Sequence, residues 1–284
     1  LQNKSIKEEK MEKNKVLFVT QEITPYLNEN HMSHVGRYLP QGIQEKGKEI
    51  RTFMPRYGCI NERRNQLHEV IRLSGMNLII DDIDHPLIIK VASIQIARLQ
   101  VYFIDNEDYF LRKNTFADNN GKFFADNDER AIFYSRGVLE TVKKLGWGPD
   151  IIHCHGWFSS LVPMYIKRSY KDVPLFSDSK VVVSVYDDEF KDPLNKDFAK
   201  KVKFDGVTEK DTKHYKQSNY VGMMKSAIDF ADAVIYGSEK INPELDEYIK
   251  SSGKPTLEYM PVDTYIDAYD EFYNELLINE TVLI

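Results

Sequence analysis

The sequence predicts an α/β domain, an open Rossmann-like parallel sheet flanked by helices and interrupted by an antiparallel β excursion. Three observations carry that expectation. Short continuous apolar runs, KVLFVT (Lys15–Thr20), DIIHCH (Asp150–His155), KVVVSVYD (Lys180–Asp187) and ADAVIYGS (Ala231–Ser238), read as strands buried on both faces. Between them lie stretches whose apolar residues recur every three or four positions, as on a helix. Residues 67–104 break this rhythm with several extended pieces divided by Gly, Asp-rich and His-Pro turn signals.

The elements follow in order. After Lys15–Thr20 and a polar stretch over 27–33, Val35, Tyr38, Leu39 and Ile43 mark a helix, Gly47 is its C-cap, and a second strand lies around Ile50–Met54. The pieces VIRLSG, NLIID, LIIKVASI and LQVYFID form the antiparallel excursion. Ala131, Tyr134, Val138, Val142 and Leu145 then define a long helix, capped by Asp126 or Asn127 with Asp128 and Glu129 in its first turn, and stopped by GWGP. DIIHCH is a short buried strand, and SLVPMYIKRS a shorter helix after it. KVVVSVYD precedes a Lys- and Asp-rich stretch, 188–219, read mostly as a surface excursion. A helix over Val221–Phe230 leads into ADAVIYGS, the final strand, and another helix. The tail IDAYDEFYNELL is helical and amphipathic: Tyr265, Tyr269, Phe272 and Tyr273 either cover an exposed edge of the domain or dock a partner. The domains expected are a disordered or non-native tail over 1–14, one Rossmann-like domain over 15–261, and a helical tail over 262–284.

Charge and cysteine usage narrow the function classes. Thirty-eight Lys and Arg against forty-four Asp and Glu leave a net charge of -6, which argues against nucleic acid and anionic membrane as partners. Cys59 and Cys154 stand far apart in no metal-like or CxxC spacing, so no metal and no disulfide framework is expected. No apolar run approaches the roughly 18 residues of a membrane span, and the first segment is charged where a signal peptide is apolar, so the expected compartment is the cytoplasm. No cofactor signature is present. In an open α/β sheet ligands lie outside the carboxyl ends of the strands, which directs attention to 21–33, 155–159, 187–189 and 237–239.

Read together, VLFVTQEITPYLNENHMSHVGRYLP, ADNDERAIFYSRGVLE, PDIIHCHGWFSSLVPMYI and KSAIDFADAVIYGSEKINPEL resemble, in order and spacing, the N-terminal half of the glycogen/starch synthases. That resemblance covers about Lys15–Pro261 and implies one half of a GT-B fold. The family activity it implies is glucosyl transfer from ADP-glucose or UDP-glucose to an α-1,4-glucan with retention at the anomeric carbon. The family's donor-binding second domain is expected to be missing after Pro261.

Such a transfer builds negative charge on the leaving diphosphate, so its site must supply cations or backbone N–H groups. Where the family carries a lysine and two glycines in its first loop, this chain has Asn28, Glu29, Asn30 and His31. Side chains there block close backbone approach, and a carboxylate repels phosphate. In the HCHGWFSS stretch Gly156 stands for a family aspartate and Phe158 for the histidine that touches glucose. Glu22, His155 and Trp157 remain as candidate substrate-binding residues, although the simpler account of strand-end histidines such as His153 and His155 is that local backbone groups satisfy them. Asp126 and Asn127 match a family pair facing the sugar, and each also fits a plain helix cap. Arg130 matches a family arginine, or is a solvated or ion-paired surface residue. These departures imply a degenerate enzyme, inactive on its own, that binds α-glucan or acts in regulation. The alternative is an active glycosyltransferase completed by a separate donor-domain protein, taking a sugar nucleotide. A homodimer is a further way to cover the exposed face.

Overall fold

The computed structural model describes residues 13–278. All but the last two residues of the 1–14 tail, and the end of the 262–284 tail, lie outside them. The first apolar run forms β1 (Lys15–Thr20), whose Val16, Leu17, Phe18 and Val19 are wholly buried. After a polar loop, α1 (His31–Glu45) starts on a capping box, Asn30 Oδ1 accepting from Ser33 N while Ser33 Oγ accepts from Asn30 N. Gly47, at φ +95°, releases the chain into β2 (Glu49–Pro55), parallel to β1. Tyr38 departs from the expected buried face: Val35, Leu39 and Ile43 hold the core, while Tyr38 is exposed between His34 and Arg37.

The excursion comprises β3 (His68–Glu69), β4 (Met76–Ile80) and β5 (Ile83–Ile94), followed by β6 (Leu99–Asp105). Two expectations are corrected here. VIRLSG is a turn, because Leu73 N and Ser74 N both bond back to the Val70 carbonyl and reverse the chain, leaving Ile71 in solvent. LQVYFID, pairing antiparallel with β5, also pairs parallel with β2, so it is a member of the main sheet. Its unbroken buried run from Val101 to Asp105 is what a strand covered on both faces requires.

A single turn, α2 (Glu107–Phe110), and a loop lead to α3 (Asn127–Leu145), which Gly146 ends in the left-handed conformation. Next come β7 (Ile151–His155), α4 (Val162–Lys167) and β8 (Lys180–Val185). The 188–219 stretch holds the one-turn α5 (Phe198–Lys201), and Leu194, Phe198, Val202 and Tyr215 are buried, so it packs on the domain more than a surface excursion would. Lys201 anchors it by pairing with Asp128 and Glu129 at the start of α3. Then follow α6 (Tyr220–Phe230), β9 (Ala233–Tyr236), α7 (Pro243–Ser252), β10 (Thr256–Leu257) and α8 (Tyr265–Ile278). β9 is therefore not the last strand, since β10 adds parallel to it. The sheet order is β10-β9-β8-β7-β1-β2-β6-β5-β3, parallel as far as β6, with β4 joined to β5. No helix among the described residues is long and apolar enough to cross a membrane.

α8 lies on its own domain. Gly42 of α1 allows close approach, since a Cβ there would stand 2.5 Å from Ile266 Cγ2. Tyr265, Tyr269, Phe272, Tyr273 and Leu276 face inward, and Lys46 and Lys48 pair at 2.6 Å with Asp267 and Asp270. Beneath the helix the Tyr273 hydroxyl is hydrogen-bonded to His153 Nδ1 at 2.5 Å. Tyr273→Phe removes that bond and leaves a buried ring nitrogen unpaired, so we expect a loss of about 1 to 3 kcal/mol in urea unfolding.

Candidate functional site

The loops at the carboxyl ends of β1, β7, β8 and β9 converge. Gln21 N donates to the His155 carbonyl, His31 Nε2 donates at 2.7 Å to the Gly237 carbonyl, and Asp187 N donates to Ser238 Oγ. Between them lies a cavity of about 270 Å³ lined by Glu22, Asn30, His31, Tyr186, Asp187 and Asp188, with Gln21, Met32 and Ser238. Three carboxylates thus face one small space. Burial pushes the Asp188 carboxyl up to about 6, against the hydrogen bonds it accepts from the Tyr220 hydroxyl and Trp157 N.

The start of α1, a natural anion site, is occupied by the chain's own groups. Asn30 takes the Ser33 N–H in the capping box, and Asn30 Nδ2 donates to Glu22 Oε2, which sets a carboxylate beside the helix terminus. Asn28 is exposed beside this turn, its carbonyl accepting from Ser33 Oγ.

Gly156 has φ +80° and ψ 162°, a region open in practice to glycine alone. A Cβ on it would stand 2.8 Å from Gln21 Oε1 and 2.9 Å from Met32 Sδ. Phe158 is wholly buried, stacked on Tyr134 with centroids 5.7 Å apart and edged by Phe116 and Trp157. Trp157 is 2% exposed, closed over by Phe116, Phe123 and Phe190. His155 is also fully buried, with Nδ1 hydrogen-bonded to the Tyr186 hydroxyl, Nε2 without a partner, and its pKa lowered by burial to about 3. His153 bonds the Tyr273 hydroxyl and Ser184 Oγ, and burial lowers it well below the usual range. His153 is therefore met by side chains of β8 and α8 and His155 by that of Tyr186 just after β8, not by the local backbone groups expected, because their strand sits at the centre of the sheet and its own backbone is taken up in pairing.

Asp126 occupies the cap position of α3 but makes no capping bond. Its φ of -105° and ψ of 17° turn the carboxylate away, and both oxygens accept from Arg112. Asn127, inside the first turn, donates to the Phe116 carbonyl and accepts from Arg130. Arg130 is neither solvated nor ion-paired. It is wholly buried, donates to the carbonyls of Tyr109 and Thr115, and lies against Phe110, Phe124 and Phe158. Asp126 faces a separate depression with Arg112 and Phe124, so the structure does not bring it together with Glu22. Among the described residues no three His, Cys, Asp or Glu side chains are placed to hold a metal ion.

Next to the acidic cavity, and sharing Glu22 and Asn30 with it, opens a cleft of about 1030 Å³. Its lining is amide-rich: Asn28, Asn30, Asn61, Asn65, Asn114 and Asn119, with Tyr26 and Phe116 as aromatic surfaces. Each carboxamide offers both donors and an acceptor, the pairing that hydroxyl groups need. Sequence reading missed the residues beyond Asn30, and the signal was the clustering of asparagines in NERRN and KNTFADNN.

The sequence profile described as starch synthase catalytic domain matches residues 15–254. The glycogen synthase of Chlorobium limicola (strain DSM 245 / NBRC 103803 / 6330) is 41% identical over 173 residues, 61% of this chain and 35% of that protein. That of Chlorobaculum tepidum (strain ATCC 49652 / DSM 12025 / NBRC 103806 / TLS) is 40% identical over 173 residues, 61% of this chain and 36% of that protein. The match thus spans about a third of these relatives' length. Among solved structures, the catalytic domain of starch synthase IV from Arabidopsis thaliana bound to ADP and acarbose superposes with a TM-score of 0.68 at 19% identity, covering 89% of this chain and 52% of that one. At that identity the likeness is one of fold.

Proposed function

The chain belongs to the starch synthase catalytic-domain family, and we propose that it acts there in the cytoplasm as a glucan-binding, regulatory half that does not transfer glucose by itself. One observation carries the reading: the cavity at the strand ends is small and lined by three carboxylates, while the cleft beside it is larger and lined by six asparagines, with Arg64 and Lys113. A nucleotide diphosphate brought to that cavity meets Glu22, Asp187 and Asp188 and finds no lysine or arginine among the lining residues. A glucan brought to the cleft meets six carboxamides and two rings, enough to pair hydroxyls and cover a sugar face. Trp157 backs Phe116 of the cleft, His155 holds Tyr186 of the acidic cavity, and Glu22 and Asn30 join the two spaces.

The test is calorimetric titration of the full chain with maltoheptaose, ADP-glucose and UDP-glucose in parallel. We expect saturable heat from maltoheptaose and none from either nucleotide sugar, and Glu22→Ala together with Asn61→Ala should weaken the glucan. Transfer of glucose onto glycogen by the purified chain alone would sink the reading. The likeness in fold to a starch synthase IV bound to ADP and acarbose favours a second reading, in which a donor-domain protein completes an active transferase. That reading expects a nucleotide-binding α/β protein to co-purify and to restore transfer.

A further inference from the structure

Away from the two clefts, a cavity of about 740 Å³ lies between β4, α3 and the segment following α5. Arg136 lines it and is only 6% exposed. Two contacts fix its guanidinium: Nη1 donates at 2.5 Å to the Ile79 carbonyl, and the guanidinium carbon lies 3.8 Å from the centre of the Phe204 ring. The other edge is unused. Nε is buried without a partner, and the hydrogen bond to Ile79 is made by Nη1 alone, leaving Nη2 free. Nε–H and Nη2–H point the same way in the plane of the group, at the spacing of two oxygens of one carboxylate or phosphate.

An internal acid lines the same cavity and is not used. Glu140, one turn further along α3, instead accepts from the Tyr170 hydroxyl at 2.7 Å and pairs with Lys143 at 3.3 Å. A buried guanidinium with an unpaired edge is costly, and an oxyanion seated on that edge would remove the cost. Leu78, Ile79 and Phe204 give the wall its apolar part, and Lys200, Lys201 and Lys203 add positive charge that favours an anion, against Glu140, Asp205 and the exposed Asp81 and Asp82.

We propose that this cavity binds an organic anion, a carboxylate or a phosphate monoester on an apolar body, gripped by Nε and Nη2 of Arg136. The site is independent of the glucan reading. The test titrates the full chain with hexanoate, hexyl phosphate, inorganic phosphate and hexanol, read by calorimetry and by the Arg136 Nε–H resonance in NMR spectra. Hexanoate or hexyl phosphate should bind and move that resonance, and which of the two binds tighter distinguishes the carboxylate source from the phosphate source. Hexanol and inorganic phosphate should bind at least about tenfold more weakly, each lacking one half of the recognition. Arg136→Lys keeps the charge but loses the fork, and should weaken the tighter anion about tenfold or more. Absence of saturable binding by both organic anions, equal binding of hexanol, or an unchanged affinity in Arg136→Lys would overturn the proposal. If that variant does not fold, the resonance of the unaltered chain decides: a signal that stays in place on titration overturns it equally.

Discussion

Gly156→Asp, which restores the residue that the synthases carry after H-x-H, is expected to destabilise this chain by about 3 to 5 kcal/mol without creating nucleotide-sugar binding. Two costs add. The backbone at φ +80° and ψ 162° is one that a side chain occupies only at about 1 to 3 kcal/mol. The first carbon of that side chain then meets Gln21 Oε1 at 2.8 Å and Met32 Sδ at 2.9 Å. Gln21 cannot simply step aside, since the same Oε1 accepts from Phe158 N and so holds the turn that seats the aromatic cluster. The new carboxylate would also enter a neighbourhood already holding Glu22 and Asp188. Gly156→Ala separates the terms: it carries the backbone and contact costs without the charge, and should lose less. The measurement is urea unfolding of the three proteins at one pH. An unaltered midpoint for Gly156→Asp would show that the loop refolds freely and would overturn the expectation that this backbone excludes a side chain.

Much of the architecture was legible because the parallel strands are buried on both faces and therefore appear as unbroken apolar runs. β1, β7, β8 and β9 all declared themselves in this way, and the strand-end rule then led to the loops that do converge on Glu22, His31, Asp188 and Ser238. What stayed hidden depends on partners far along the chain. VIRLSG has the composition of a strand, but Val70 N and Gly75 N bond to the Ile89 and Leu87 carbonyls of β5 and so pin the two ends of a turn that composition does not show. Arg130 looked like a surface charge because a single arginine on a helix usually is. Its burial follows from carbonyls at Tyr109 and Thr115 that the preceding loop carries to it. Trp157 and Phe158 read as site residues by position, yet Phe123 and Phe190, contributed by two separate loops, close over Trp157, and Tyr134 fills the other side of Phe158. The substitution of Phe158 was visible in the sequence. That it completes an aromatic core, and so removes a polar contact by filling its place, was visible only in three dimensions.

The pH dependence of stability should reveal two opposed pairs of groups. His153 and His155 are held neutral by burial, with ring centroids 3.8 Å apart. Their folded pKa values lie below the unfolded value of about 6.5, so as pH falls through that value the unfolded chain takes up protons that the folded chain refuses, and stability is lost. From pH 7 to pH 5 the two imidazoles together remove about 4 kcal/mol. Asp128 and Asp188 act in the other direction. Burial raises each to about 6, so on acidification the folded chain binds protons before the unfolded one, and the pair returns about 3 kcal/mol over the same range. The intact chain should therefore change little, losing about 1 kcal/mol between pH 7 and pH 5, and a flat profile alone would say nothing of its origin. Variants separate the terms. Asp188→Asn removes one compensating carboxyl and should deepen the acid loss to about 2.5 kcal/mol, whereas His155→Gln removes one imidazole and should turn the loss into a slight gain. Urea unfolding at pH 7, 6 and 5 measures all three, and slopes that fail to move in opposite directions would show that these groups titrate in contact with solvent. The sign of the His155 variant also bears on function. An imidazole locked neutral between Tyr186 and the underside of the acidic cavity cannot serve as a proton donor to a sugar, and it acts here as part of the floor on which Tyr186 and Asp188 are set.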